Sequence, residues 1–294
     1  MKVFSKAQIV ASFNPELAVS RLEEGFIAYS EGKAQVPPVQ GFAFQGANGD
    51  CCVKSAYIEG SPTFTVKLST GFYDNPAKGL PSNDGLMLVL SALTGQPLAL
   101  LQDQGWLTAM RTALAGRIAA RLLAPAQVKA IGILGTGMQA QMQLEQLRAI
   151  TDCRQVIVWG RNESGLAAYA TFARELGFEV RSTQDAAEVA GAANLIVCTT
   201  PSRQALLHSE WVQPGTHITA VGADAPGKQE LDPALVARAD RIIVDSVAQC
   251  SQYGEVAHAL GSGRITANQL VELGWLLAGR ARGASTTARS PWPT

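Results

Sequence analysis

The sequence lacks the features that would place it in several large classes of protein. Its 24 basic and 24 acidic residues balance, so no net charge favours a nucleic acid or an anionic membrane as a partner. No apolar run approaches the ~20 residues of a membrane-spanning helix. The residues Asn14, Pro15 and Glu16 interrupt the N-terminal apolar run before a signal-peptide core could form. We therefore expect a cytoplasmic protein that binds neither nucleic acid nor membrane.

Cysteine and histidine are also scarce. The five cysteines form no Cys-x-x-Cys pair, and none lies within seven residues of one of the three histidines. A metal site and a disulfide framework are therefore both unexpected. The adjacent Cys51 and Cys52 could be redox-active, although the sequence favours buried structural cysteine.

What the sequence does contain is a dinucleotide-binding fingerprint between residues 128 and 147. An apolar strand from Ala130 to Leu134 is followed by Gly135, Gly137 and Ala140, which form G-x-G-x-x-A. The first glycine permits a tight turn, the second lets the backbone approach a pyrophosphate, and the alanine lets the helix pack closely on the strand. The N–H groups of that helix would face the phosphates. Such a turn can also exist without a ligand, so the fingerprint needs support from its surroundings.

The end of the next predicted strand, Gln155 to Trp159, bears on the type of cofactor. An NAD site normally carries Asp or Glu there for the ribose 2′-hydroxyl, whereas this chain has Gly160, Arg161 and Asn162. An arginine pairs with a 2′-phosphate through charge-assisted hydrogen bonds. Arg161 therefore favours NADP(H), with NAD(H) as the alternative, although it could also be a solvated arginine at a strand end.

The remaining pattern predicts an α/β fold of two parts. The first part has a helix pair or one bent helix over residues 5–32, two antiparallel hairpins over 51–68 and 86–102, and a long helix from Trp106 to Leu123. Strands and helices then alternate as far as residue 244. This alternation predicts a Rossmann-type doubly wound parallel sheet with a second, smaller α/β domain.

Ligands of such sheets bind at the carboxyl ends of the strands. This rule nominates residues that follow two predicted strands: Thr199, Thr200, Val221, Gly222 and Asp224. Asp224 could reach a substrate there, or it could be an ordinary turn aspartate before Ala225, Pro226 and Gly227.

Three cationic side chains are candidates for binding an anionic substrate. Lys54 and Lys67 lie on the two strands of one predicted hairpin, where they could aim into a cleft or simply face solvent. Arg111 lies within the long helix. It could face an interdomain cleft and bind a carboxylate or phosphate there, or it could only reach outward to place its charge in solvent.

Five motifs, in the same order, resemble the ornithine cyclodeaminase/mu-crystallin family. They are Lys67 with Asn75 eight residues later, Gly79-Leu80-Pro81, Leu107 to Ala113, Gly135 to Ala140, and Val221 to Leu231. The resemblance covers about residues 1–280. It implies a substrate-binding and dimerisation domain at 1–108, with or without a return of 271–294 to it, an NAD(P)-binding Rossmann domain at 109–270, and a homodimer.

The resemblance also implies what the candidate residues do. Lys67 and Arg111 would bind the substrate carboxylate, Lys67 could assist proton transfer, and Asp224 would be the acid or base at the substrate nitrogen. It implies cofactor contacts from Arg111, Thr112, Gly135, Gly137, Met138, Gln139, Arg161, Asn162, Thr199, Thr200, Val221 and Gly222.

Departures from the cyclodeaminase pattern indicate which reaction to expect. Cyclodeaminases carry an acidic residue thirteen positions before the lysine that matches Lys67, and this chain has Lys54 there. They also carry an arginine after the proline near Pro38, where Val39 and Gln40 stand. A lysine would repel the distal amine of a diamine and attract a second carboxylate, or it could replace the missing arginine.

We therefore predict an NAD(P)H-dependent reductase of a cyclic imine or 2-imino acid, of the ketimine, Δ1-pyrroline-2-carboxylate or iminosuccinate type. The alternatives are an ornithine cyclodeaminase, which recycles NAD, and a non-catalytic NADPH-binding protein similar to crystallin. The end of the chain also departs from the family. We predict a helix near Val271 to Leu277 and disorder from Arg280 onward, where the family usually has a further strand and a final helix.

Overall fold

A sheet of seven strands forms the N-terminal third of this computed structural model, which describes residues 1–280. The strand order is β1-β7-β6-β5-β4-β2, and β3 also pairs with β4. Only β1 and β7 run parallel, whereas every other pair is antiparallel. The strands are β1 (Lys2–Ser5), β2 (Ala34–Gln35), β3 (Gln40–Phe44), β4 (Gly49–Ile58), β5 (Thr63–Phe72), β6 (Asn83–Ser91) and β7 (Pro97–Gln102).

Both predicted hairpins are present as β4–β5 and β6–β7. Gly60, with a φ of +81°, makes the turn of the first hairpin, a conformation that glycine adopts without a steric penalty. In the register of this hairpin Lys54 lies directly opposite Lys67. Directly opposed residues project from the same face of a sheet, so the two lysines are neighbours.

The predicted helix pair is α1 (Lys6–Ser12) and α2 (Pro15–Ser30). The pair breaks at Asn14 because its side chain accepts a hydrogen bond from the N–H of Leu17 at 3.0 Å, which starts a new helix with Pro15 in the first turn. Gly32, with a φ of +74°, follows the end of α2.

The long helix α3 (Trp106–Leu123) has the predicted bounds. The buried carboxylate of Asp103 accepts a hydrogen bond from the N–H of Leu107 at 2.8 Å and so satisfies one donor of the first turn. Leu114 and Ile118 are fully buried in α3. Arg111 precedes them on the same face of the helix, where its side chain lines a cleft.

A five-stranded, entirely parallel sheet follows in the order β10-β9-β8-β11-β13. This order confirms the Rossmann-type prediction, because the chain moves outward from β8 to β10 and then returns to the other side of β8. The strands are β8 (Ile131–Leu134), β9 (Gln155–Trp159), β10 (Glu179–Thr183), β11 (Leu195–Cys198) and β13 (His217–Ala220). The helices between them are α4 (Met138–Leu147), α5 (Glu163–Glu175) and α6 (Ala186–Ala192).

The sequence did not predict two short pairs of parallel strands. The first pair is β12 (Arg203–Leu207) with β14 (Gln229–Leu231), and the second is β15 (Ile242–Val244) with β16 (Leu270–Glu272). The strand predicted near residue 241 therefore lies outside the main sheet. The helix predicted from Val271 was wrong at its start, because Val271 and Glu272 extend along β15, and α10 (Leu273–Leu277) begins only after them.

The helices around these pairs are α7 (Pro233–Arg238), α8 (Val247–Cys250) and α9 (Glu255–Gly261). Asp232 caps α7, because its side chain accepts a hydrogen bond from the N–H of Ala234 at 2.9 Å. The helix α10 packs on α2 so closely that a Cβ on Gly274 would lie 2.0 Å from the carbonyl oxygen of Phe26.

The predicted domain boundary at residues 108 and 109 falls within the first turn of α3. The disorder predicted from Arg280 concerns residues 281–294, which lie outside the described part of the chain. Among residues 1–280 we find no helix whose length and apolar character would suit it to span a bilayer.

Candidate active site

One cleft of about 2750 Å³ is lined by residues from both large sheets and from α3. It brings together most of the residues nominated from the sequence: Lys54, Lys67, Arg111, Thr112, Gly137, Met138, Gln139, Thr199, Thr200, Val221, Gly222 and Asp224. Gly135, Arg161 and Asn162 are not among the residues that line it.

Gly135 makes the tight turn between β8 and α4. Its φ is +115°, and its N–H donates a hydrogen bond to the carbonyl oxygen of Trp159 at 3.0 Å. A Cβ at this position would lie 2.6 Å from Oγ1 of Thr199. That hydroxyl donates to the carbonyl oxygen of Leu134 at 3.1 Å, which ties the ends of β8 and β11 together. Both the backbone angle and the close approach therefore require glycine.

The start of α4 is suited to an anionic ligand. Its N-cap is Gly137, so no capping side chain accepts from the N–H groups of the first turn. A Cβ on Gly137 would meet no protein atom within 4 Å, which leaves space for a ligand. The side-chain Nε2 of Gln139 is buried and donates to no described residue. An uncapped helix N-terminus with open space and an unused donor fits the pyrophosphate of a dinucleotide.

Arg161 and Asn162 follow β9 at the surface. The Oδ1 atom of Asn162 accepts a hydrogen bond from the N–H of Gly165 at 2.8 Å, so this side chain caps α5. Within residues 1–280 the guanidinium of Arg161 has no hydrogen-bond or ion-pair partner, and only its backbone oxygen accepts a bond, from Gln184. The arginine is therefore available to a ligand at the end of β9.

Glu230 holds the ends of β11 and β13 together, and the sequence did not predict this role. Its fully buried carboxylate accepts hydrogen bonds from the N–H of Thr200 at 2.5 Å and of Gly222 at 2.8 Å. Glu255 in turn accepts from the N–H groups of Glu230 and Leu231, both at 2.8 Å. Burial raises the pKa of Glu230 to about 7, and the charge of Glu255 acts in the same direction.

Lys54, Lys67 and Arg111 form a cationic cluster in the cleft. Burial, together with the charges of Arg111 and Lys54, lowers the pKa of Lys67 to about 8. Arg111 is accessible from the cleft although protein surrounds it, and desolvation lowers the pKa of its guanidinium. None of the three side chains has a hydrogen-bond or ion-pair partner among residues 1–280. The cluster is therefore available to bind an anion.

Asp224 lies in the same cleft, after β13. Its Oδ1 accepts a hydrogen bond from the ammonium Nζ of Lys228 at 2.6 Å, so the two residues form an ion pair. Most of the Asp224 side chain stays exposed. Desolvation lowers the pKa of Arg111, and the charges of Asp245, at the end of β15, and of Asp224 partly offset this lowering. Electrostatic coupling thus joins the aspartate to the cationic cluster across the cleft.

Sequence reasoning also missed Lys228, Tyr73 and Asp245. The ammonium of Lys228 lies 5.9 Å from the ring centroid of Tyr73. The Tyr73 hydroxyl donates to Asp50 at 2.8 Å. Lys228 lies within the family motif that ends at Leu231, so the motif was the available signal for it. Among residues 1–280, no three His, Cys, Asp or Glu side chains are grouped as a metal site would require.

Comparison with known proteins finds relatives along nearly the whole chain. The sequence model of the Ornithine cyclodeaminase/mu-crystallin family matches residues 2–289. An archaeal alanine dehydrogenase dimer with bound NAD is 32% identical, with a TM-score of 0.88 over 97% of this chain and 87% of that one.

Two further solved structures are reductases of C=N bonds. The iminosuccinate reductase of Paracoccus denitrificans in complex with NAD+ is 33% identical, with a TM-score of 0.87 over 96% of this chain and 86% of that one. The Δ1-pyrroline-2-carboxylate reductase of Thermococcus litoralis, in complex with NADH and L-proline, is 27% identical. Its TM-score is 0.89 over 97% of this chain and 89% of that one.

Proposed function

Because this chain belongs to the ornithine cyclodeaminase/mu-crystallin family, we propose that it is a nicotinamide-dependent reductase of a cyclic imine or 2-imino acid. One observation carries the proposal. Lys67 and Arg111, which have no partner within residues 1–280, share a cleft with Asp224 and with the glycine turn of a dinucleotide-binding sheet. A carboxylate site beside an acid or base and a cofactor site is what reduction of an imino acid requires.

Each residue of the cleft then has a chemical role. Lys67 and Arg111 bind the substrate carboxylate through charge-assisted hydrogen bonds. Asp224 accepts a hydrogen bond from the N–H of the protonated imine, which is the electrophilic form, and exchanges that proton as acid or base. Lys228, paired with Asp224 at 2.6 Å, holds this carboxylate in position. When bound, the cofactor supplies the hydride.

The cofactor contacts follow the geometry of the parallel sheet. The α4 N-terminus at Gly137, Met138 and Gln139 would bind the pyrophosphate beside the turn at Gly135. The edge formed by Thr199, Thr200, Val221 and Gly222 would hold the nicotinamide end, with Arg111 and Thr112 on the opposite side. Asn162 would contribute at the adenosine end beside Arg161.

We propose that NADP(H) is preferred over NAD(H), which the solved relatives contain. The support is Arg161, whose guanidinium has no partner among residues 1–280.

Replacing Arg161 with alanine should weaken NADPH binding about tenfold, because one charge-assisted contact is lost, and should leave NADH binding nearly unchanged. Fluorescence titration of both cofactors measures this. The control is an Arg174→Ala variant, because Arg174 lies on α5 and away from the end of β9. Equal affinity of the unchanged protein for NADH and NADPH would contradict the preference.

The reaction itself is tested with imine substrates. The protein should oxidise NADPH or NADH when it is given Δ1-pyrroline-2-carboxylate or iminosuccinate, and Asp224→Asn should abolish turnover while cofactor affinity is retained. Cofactor binding without oxidation by any imine would favour the non-catalytic, crystallin-like alternative. Release of proline and ammonia from ornithine with catalytic NAD would favour the cyclodeaminase alternative, which Lys54 disfavours because it repels a second amine.

We further propose a homodimer that acts in the cytoplasm on small imino or amino acids and has no nucleic-acid or membrane partner. An archaeal relative is a dimer. In this chain β3 is exposed along its whole length and carries Phe42 and Phe44, which are 55% and 43% exposed. Such an apolar edge strand is suited to burial between two copies. The division into domains at 1–108 and 109–270, with β16 and α10 returning to α2, belongs to the same proposal.

A further inference from the structure

The carboxylate of Asp224 lies on a loop that gives it little support of its own. Asp224 follows β13, and its side chain is 72% exposed. Within the described part of the chain, this carboxylate hydrogen-bonds to one group, the ammonium of Lys228 at 2.6 Å. An acid or base must lie within hydrogen-bond reach of the proton that it exchanges. The direction in which Asp224 points therefore depends on Lys228.

Both the backbone and the side chain of Lys228 are held in place. Its N–H donates to the carbonyl oxygen of Ala225 at 3.2 Å, and its own carbonyl oxygen accepts a hydrogen bond from Nε2 of His258 in α9 at 2.8 Å. The side chain is only 13% exposed although it carries a charge. Its ammonium lies 5.9 Å from the ring centroid of Tyr73, which is within the range of a cation–π contact. Lys228 thus lies between Asp224 and an aromatic ring.

Tyr73 belongs to the other part of the molecule. It follows β5 of the seven-stranded sheet, whereas Lys228 lies between β13 and β14. Its N–H donates to the carbonyl oxygen of Asn48 at 3.0 Å, and its hydroxyl donates to Oδ2 of Asp50 at 2.8 Å. Burial and the bond to Asp50 raise the pKa of Tyr73, and the charge of Asp224 acts in the same direction. Tyr73 is therefore a fixed, uncharged ring on the opposite side of the cleft.

Hydrogen bonds at α2 keep the two parts of the molecule close together. The carboxylate of Glu272 accepts from the hydroxyl of Ser30 in α2 at 2.8 Å and from the N–H of Val247 in α8 at 3.0 Å. These bonds limit how far the parts can separate. The ring of Tyr73 therefore stays within reach of the loop that carries Lys228.

We propose that Tyr73 is a positioning residue for imine reduction, which acts through Lys228 to hold the Asp224 carboxylate at the substrate nitrogen. This role rests on the proposed reductase function and adds a residue to it. The negative face of the ring attracts the ammonium, and the ammonium keeps the carboxylate in place. A misplaced acid or base slows the chemical step, whereas Lys67 and Arg111 would still bind the substrate. Loss of the ring should therefore lower kcat more than it raises KM.

The test measures kcat and KM with Δ1-pyrroline-2-carboxylate or iminosuccinate, whichever the unchanged chain reduces faster, and Kd for the reduced cofactor. Tyr73→Leu should lower kcat about three- to tenfold, which is the strength of one cation–π contact, with KM and Kd nearly unchanged. Tyr73→Phe keeps the ring and should lose less. The control is Tyr57→Leu, which removes a tyrosine of β4 that does not line the cleft, and it should match the unchanged chain.

Substitutions of Lys228 show whether Tyr73 acts through this residue. Lys228→Met should lower kcat about 10- to 100-fold, because a hydrogen bond between charged groups is lost. Lys228→Arg should recover much of this loss, since arginine keeps the charge and stacks on aromatic rings. In the Lys228→Met background, Tyr73→Leu should have no further effect on kcat, because the group that the ring holds is gone.

Two outcomes would overturn the positioning role and leave the reductase intact. The first is a pair of losses from Tyr73→Leu and Lys228→Met that multiply independently in the double variant. The second is a loss of cofactor affinity in Tyr73→Leu as large as its loss of kcat, which would indicate a general structural effect.

A failure of the unchanged chain to oxidise NADPH or NADH with either imine would instead overturn the reductase function. Crystal structures then test what Tyr73 does, because they need no turnover. Tyr73→Leu should lose the 2.6 Å contact between Lys228 and Asp224, and Tyr73→Phe should retain it. Retention of this contact in Tyr73→Leu would contradict the role of the ring.

Discussion

Lys67 is a lysine whose charge state changes within the working range of an enzyme. Its pKa is about 8 because it is largely buried and lies near two other cations. Only its protonated form attracts a carboxylate. We therefore expect kcat/KM for imine reduction to fall as pH rises through about 8, since this parameter reports the free enzyme. Measurement of kcat/KM between pH 6 and 10 tests this.

Replacement of Lys67 by arginine provides the matched comparison. Arginine stays protonated throughout this range, so the falling limb should move to higher pH or disappear, whatever the loss in absolute rate. If the variant binds substrate too weakly to be assayed, the pH dependence of product binding by the unchanged chain serves instead. A falling limb that keeps its position in Lys67→Arg would assign that limb to another group.

The structural role of Glu230 could not be predicted from the sequence. Its neighbours in the chain suggest a polar turn, and a glutamate there would ordinarily be solvated. It lies on β14, and its carboxylate is fully buried against the N–H groups of Thr200 and Gly222, while Glu255 of α9 accepts from its own N–H. These partners lie far apart in sequence. Lys67, Arg111 and Asp224, in contrast, could be nominated from their positions on a hairpin strand, within a helix and after a strand, and from the family motifs that contain them.

At the level of elements, predictions succeeded where the chain itself marks the ends. The helix α3 runs between Gly105 and Pro125, and β9 is an apolar run that begins at a polar residue and ends before Gly160, so both have the predicted limits. The pair β15 and β16 could not be found in this way. Its strands have three residues each, too few for a periodic pattern, and pairing across about 28 residues of chain leaves no local signal.

The contact between α10 and α2 leads to a prediction about stability. Gly274 lies so close to α2 that a Cβ would meet the carbonyl oxygen of Phe26 at 2.0 Å. Gly274→Ala should therefore lower the free energy of unfolding by about 1–3 kcal/mol, because the two helices must separate to accommodate a methyl group. Urea denaturation followed by circular dichroism measures this change.

The control for this substitution is Gly191→Ala in α6, where a Cβ would meet no atom within 4 Å. Alanine is the better helix former, so this variant should be unchanged or more stable by up to about 1 kcal/mol. Similar stability of Gly274→Ala and Gly191→Ala would mean that α10 does not pack tightly on α2.

For the whole molecule, the proposed dimer makes a direct prediction. Light scattering after size exclusion should give twice the 31.0 kDa mass of the chain. Phe42→Glu places a charge on the exposed strand β3 and should shift the mass toward that of a single chain, because an unpaired charge is costly at an apolar interface. The control is Leu93→Glu, which alters a side chain that is 85% exposed at the turn between β6 and β7. An unchanged dimer mass in Phe42→Glu would place the interface elsewhere.

The buried bond between Glu230 and the N–H groups of Thr200 and Gly222 has a consequence for how this protein can change. The sheet edge proposed to hold the cofactor is shaped by the fully buried side chain of Glu230, and Glu255 accepts from the backbone N–H of that residue. Changes at these four positions will not be independent, so the effect of one substitution will depend on the state of the others. Laboratory evolution of a new substrate preference is therefore best directed at β4 and β5, where Lys54 and its neighbours can vary without disturbing this linked set.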